Sequence, residues 1–110
     1  MTYINDILKD ETLSIKKRHR ILRKMDAKKS VHNYVFIIRI QHDDNMLEMV
    51  SDREVSRLIE RKKVFVIAGI GKNREHAFEL IEKLMAYLYN HYQMVDNHLM
   101  EKELHILWPT

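Results

Sequence analysis

Cysteine is absent from this 110-residue chain, glycine occurs twice and proline once. The missing thiol excludes a disulfide-stapled fold, thiolate zinc sites, iron–sulfur clusters and a cysteine nucleophile, and it fits a reducing compartment. Three glycine and proline residues supply few of the tight turns that an all-β sandwich or barrel needs, so that class is disfavoured. Long apolar runs are missing too. The longest, Val64–Ile70 counting Gly69, falls far short of the roughly 20 residues of a membrane span. The leading stretch MTYINDILKDE carries acids where a secretory leader is basic and then apolar. The expectation is a protein with no membrane association, resident in a bacterial cytoplasm or, if phage-encoded, in that of the host.

Hydrophobic residues make up 45% of the chain and charged residues 32%, the balance of an ordinary globular protein. The length suits a single domain over 1–110, divided into a basic helical segment, 1–30, and a core of mixed type, 31–110.

Ile4, Leu8, Ile15, Leu22 and Met25 recur at helical spacings, with Ile7 and Ile21 beside them. A helix starting at Ser14 puts Lys16, Lys17 and Arg18 in its first turn, against the helix dipole. One starting near Asn5 puts Asp6, Asp10 and Glu11 early and the basic cluster late, and is the favoured reading. Residues 33–41 are rich in β-branched and aromatic types and predict a strand covered on both faces, turning at QHDDN into a short return strand, MLEMV. Ser51 and Glu54 form a capping-box pattern ahead of a short helix. Val64–Ile70 predicts a buried strand closed by Gly71. Asn73 then caps a helix over Arg74–Tyr92, in which Ala77, Phe78, Ile81, Leu84, Met85, Leu88 and Tyr92 form the apolar stripe. The tail after Tyr92 fits either helix or strand. The fold class is therefore α+β: an N-terminal helix, a sheet of three or four strands, and the 74–92 helix packed across one face. An all-α bundle is the alternative, because periodicity does not separate short buried strands from buried helix segments.

Motifs for chemistry are sparse. AGIGKN at 68–73 is a strand–glycine–helix junction of the kind that binds phosphate, with Lys72 adding charge. It lacks the further glycine and the Ser or Thr of a P-loop and the third glycine of a dinucleotide fingerprint. It reads first as a tight turn. The seven histidines (19, 32, 42, 76, 91, 98 and 105) include no HExxH and no i, i+4 pair, and His42-Asp43-Asp44 with Glu48 lacks the length and glycine of a calcium loop. No serine lies in GxSxG. The expectation is a non-enzyme with no cofactor, no metal and no catalytic residue; a small enzyme of unstated reaction is the remote alternative.

The compositional anomaly is charge. Residues 16–29 hold eight Lys and Arg against Asp26, a sum of +7 in a chain whose total is +3. On a helix, Lys17, Arg20, Lys24 and Lys28 line one side, flanked by Lys16, Arg23 and His19, and Arg61, Lys62 and Lys63 add a second cluster. Like charges at i, i+4 cost stability, so such a row implies a partner or an acidic neighbour within the fold. Residues 75–110, with six acids against Lys83 and Lys102, are the available neighbour. The site expected from sequence is thus partner-binding: Lys16, Lys17, Arg20, Arg23, Lys24, Lys28, Arg61, Lys62 and Lys63. Tyr34 and Phe36 read as core rather than base-stacking residues; Tyr87, Tyr89 and Tyr92 are candidates for a protein contact, with Tyr92 the most core-like.

Short, free of cysteine, poor in glycine and basic, the chain resembles in type the small accessory and inhibitory proteins of bacteria and their phages, anti-CRISPR proteins among them; no motif carries that likeness. The expected function is binding through the basic face. The partner is an acidic protein surface or a nucleic-acid–protein complex, in a regulating or inhibiting role. Direct, non-sequence-specific binding of DNA or RNA is the alternative, and a homodimer is compatible with the sequence.

Overall fold

The computed structural model describes residues 2–27, 29, 31 and 33–108, with the side chains of 2–7 and 26 left aside. Among the described residues, four strands and four helices follow in the order β1 (Thr2–Lys9), α1 (Ile15–Asp26), β2 (Val35–Ile40), β3 (Glu48–Val50), α2 (Asp52–Glu60), β4 (Phe65–Gly71), α3 (Arg74–Tyr92) and α4 (Asn97–Glu103). The strands form one mixed sheet, β1-β4-β2-β3, with β1 parallel and β2 antiparallel to β4, and β3 antiparallel to β2. This is the α+β class that the sequence predicts, and the chain folds without the all-helical alternative.

The first thirty residues differ from expectation. Residues 2–9 are a strand, and the helix starts at Ile15. Two effects outweigh the dipole argument. Thr, Tyr and Ile suit an extended edge strand, and the ladder to β4 supplies partners for their backbone groups. Ser14 then caps α1, its Oγ accepting from the Lys17 N–H at 3.1 Å, even though the first turn holds no acid. The capping box at Ser51–Glu54 and the Asn73 cap of α3 form as the sequence predicts.

Apolar residues on the two faces of the sheet define two cores. On one face Leu13, Ile21 and Leu22 from the α1 region and Val55 from α2 pack on Phe36, Ile38, Phe65, Ile67 and Ile70. On the other, Ala77 and Leu88 of α3 and Met100 of α4 pack with Leu104 and Ile106 on Ile37, Val66 and Ala68. The molecule is therefore three-layered, with α1 and α2 over one face and α3 and α4 over the other. All of β4 is buried, which is why VFVIAGI reads as an unbroken apolar run. The alternation of β4 slips by one residue near Gly69, where the register against β2 shifts, so that Ile67 and Ile70 share a face. Phe78 departs from the predicted stripe: it sits at the margin of α3 and is 52% exposed. Tyr92 packs inward, as expected, and its hydroxyl donates to Glu103 Oε1.

Both glycines stand where another backbone approaches. A Cβ on Gly69 lies 2.5 Å from the Leu8 carbonyl oxygen across the β1–β4 ladder, and one on Gly71 lies 2.7 Å from the Ala77 nitrogen in the first turn of α3. Gly69→Ala and Gly71→Ala are each expected to destabilise by about 2 kcal/mol through forced backbone displacement. A denaturant midpoint unchanged by either substitution would show that the approach is looser than described.

Candidate functional site

Each candidate loop for a ligand is filled by the chain's own charge. At the C-terminal ends of β1 and β4, where the AGIGKN junction turns into α3, stands Asp10, only 5% exposed. Its Oδ2 accepts from the Lys72 N–H at 2.8 Å and from His76 Nδ1 at 2.8 Å; its Oδ1 accepts from the Thr12 N–H at 2.9 Å and the Thr12 hydroxyl at 2.6 Å. Burial pushes the Asp10 carboxyl up, but these hydrogen bonds outweigh it and hold the group well below the usual carboxylate range. The amide that a phosphate would take is thus given to an internal carboxylate. An ionised Asp10 only accepts, so the hydrogen bond to its Oδ2 is donated by Nδ1 of His76, a side chain 29% exposed.

The loop after β2 mirrors this arrangement with opposite sign. The His42-Asp43-Asp44 and Glu48 pattern falls here, and two carbonyls of the loop, those of Asp43 and Asn45, face a cation, the guanidinium of Arg39. Its Nη1 donates to the Asp43 and Asn45 carbonyls, and its Nε donates to Glu101 Oε1 at 3.2 Å. Trp108 Nε1 donates to the other Glu101 oxygen at 3.1 Å. Among the described residues, no group of three metal-ligating side chains converges.

The basic face is the site that stays open. On α1, Arg18 turns inward, 4% exposed, and donates to the Leu13 carbonyl at 2.6 Å. With Ile21, Leu22 and Met25 it marks the inner side, so Lys16, Arg20 and Arg23 stand opposite, flanked by Lys17 and Lys24, all five exposed. The Lys17 ammonium lies 5.9 Å over the Tyr34 ring, which is half-buried against the core. Lys28 lies outside the described residues.

Arg61, Lys62 and Lys63 are exposed and belong to the same layer but to its far end. The helix α2 starts where β2 begins and β4 ends, and it runs about 13 Å to the opposite end of the sheet before 61–63 lead into β4. At its start, the Val31 N–H donates to Asp52 Oδ2 at 3.0 Å, tying the segment after α1 to the first turn of α2. Charge count alone missed what lies between: Arg53 and Arg57, exposed and spaced i, i+4 with Arg61, carry a row of guanidinium groups along α2. That spacing was legible, but Asp52, Glu54 and Glu60 cancel the arginines in any running sum.

Those acids are engaged locally but keep their charge, and Glu48 and Glu54 line one groove with Arg57 and Arg61, so the excess of cations is greatest on α1. Asp52 accepts from Val31, Glu54 closes the capping box on Ser51, and Glu48 accepts from Asn45; Glu54 and Glu60 are both exposed, Glu60 on the outer side beside Arg53 and Arg57. Among the described residues, none of Lys16, Arg20, Arg23, Lys24, Arg53, Arg57, Arg61 and Lys62 forms an ion pair. The acidic neighbour offered by residues 75–110 lies across the sheet, in the α3 and α4 layer. No known protein-family model, curated protein or solved structure matches the chain, so its site rests on this geometry.

Proposed function

We propose that this is a small non-enzymatic binding protein that engages a polyanionic surface of a nucleic-acid-handling assembly through the outer side of α1 and α2, in a regulating or inhibiting role. One observation carries the reading: the outward cations of both helices have no carboxylate partner among the described residues, while most acids of that layer are held by capping or backbone contacts. Unpaired like charge at i, i+4 costs each helix a few tenths of a kcal/mol per pair, and an anionic partner recovers that cost.

Heparin serves as a generic polyanion for the test. The wild-type chain is expected to be retained on immobilised heparin at physiological salt, and Arg20→Glu/Arg23→Glu/Lys24→Glu to pass through with an unchanged circular dichroism spectrum. Equal retention of the two proteins removes the basic face as the site.

A further inference from the structure

Resting on that reading of the face, we propose that the anion it recognises is the phosphate backbone of duplex DNA, bound without regard to sequence. The composition of the outer surface separates this from the other polyanions. A protein partner needs an apolar or aromatic anchor at the centre of the contact. Here the centre is Lys16, Arg20 and Arg23 on α1 and Arg53 and Arg57 on α2, and the exposed apolar residues of the layer, Ile15 and Ile59, lie on the helix flanks. Among the described side chains, the exposed aromatic residues, Phe78, Tyr87 and Tyr89, belong to α3 on the other side of the sheet. Their absence from the basic layer also argues against single strands, which bind by stacking bases on exposed rings; Tyr34 is half-buried beneath Lys17.

Base reading and duplex RNA are disfavoured by a different lack. Base edges are read by amide forks and by guanidinium forks held rigid by a second partner, which Arg20, Arg23, Arg53 and Arg57 lack among the described residues, and duplex RNA is read by polar contacts to its 2′-hydroxyls. The described outer surface of α1 and α2 offers no Asn, Gln or Thr, and the one hydroxyl of α2, Ser56, already donates to the Asp52 carbonyl at 3.2 Å. What remains is a surface of cationic tips on two short helices that outnumber the exposed Glu54 and Glu60, which is what phosphate neutralisation requires.

The test uses the full chain and a fluorescein-labelled 20-base-pair DNA duplex of arbitrary sequence at 150 mM salt, read by anisotropy. A duplex RNA of equal length and poly-L-glutamate are competitors. Arg53→Ala/Arg57→Ala and Lys83→Ala/Lys102→Ala remove the same charge from opposite layers, and a thermal melt confirms that each is folded. The expected result is DNA binding that weakens steeply with salt. Affinity falls at least tenfold in the arginine pair and changes less than twofold in the lysine pair, and the log–log salt slope is shallower by about 2 in the arginine pair. Arg20→Ala/Arg23→Ala is expected to act like the arginine pair of α2. Equal losses in the two layers overturn the proposal, because net charge and not the face then explains binding. Displacement by poly-L-glutamate at a charge concentration at least tenfold lower than unlabelled duplex DNA requires makes the face a protein dock, and tenfold tighter RNA binding reassigns it to RNA. Either outcome overturns the DNA assignment and leaves the basic face standing, whereas equal heparin retention of the wild-type and charge-reversed chains brings down both.

Discussion

Replacing Arg39 by methionine lowers the unfolding free energy by an expected 3–5 kcal/mol, about the cost of breaking a buried ion pair from one side. Arg39 is 3% exposed in a central strand, and its guanidinium joins three parts of the chain: the β2–β3 loop through the Asp43 and Asn45 carbonyls, α4 through Glu101, and, by way of Glu101, the indole of Trp108. Methionine fills most of the volume but leaves two loop carbonyls without that donor and a largely buried carboxylate with only the indole. Removing both charges in Arg39→Met/Glu101→Leu is expected to recover more than half of the loss, since apolar replacement of a whole buried pair is far cheaper than orphaning one partner. Urea unfolding of the four proteins gives the double-mutant cycle. A single-variant loss under 1 kcal/mol, or strict additivity, would mean that water already serves this cluster.

The second large effect is at Asp10. Asp10→Ala removes the acceptor for the Lys72 and Thr12 amides, the Thr12 hydroxyl and His76 at once, with an expected loss of about 3 kcal/mol at neutral pH. The pH dependence identifies the cause. Because the folded chain holds this carboxyl below its ordinary range, the unfolded chain binds the proton more readily. The stabilisation is therefore complete above the unfolded value of about 3.9 and drains away as the pH falls below it. Urea midpoints from pH 6 to pH 2 are expected to converge for wild type and Asp10→Ala. Parallel curves would show that Asp10 acts through packing and not through its charge.

Neither Asp10 nor Arg39 is recognisable from sequence, and the reason is distance along the chain. Asp10 meets Lys72 and His76, and Arg39 meets Glu101, across more than sixty residues, which no local pattern registers. Elements set by neighbours were legible: the Ser51 box, the Asn73 cap and the 74–92 helix all depend on side chains within four residues of each other. TYINDILK was misread because Ile4, Ile7 and Leu8 fit a helical face as well as a strand, and β4 decides between them. The basic face was legible on α1, where the charges are contiguous. It was hidden on α2, where arginines alternate with acids whose other engagements only the fold reveals.

The pairing of β1 with β4 also sets an order of events. Thr2 faces Phe65 and Lys9 faces Ile70, so this edge strand waits about 60 residues for its template. At 5–20 residues per second a ribosome needs roughly 3–12 seconds to supply it. Through that interval a nascent segment rich in Thr, Tyr and Ile has open backbone groups on both sides, the condition in which strands from neighbouring chains pair wrongly. A completed chain diluted from urea meets no such delay, only the slow search that distant contacts impose. Translation and refolding thus reach the same sheet under different hazards, and a chaperone is of most use in the first case.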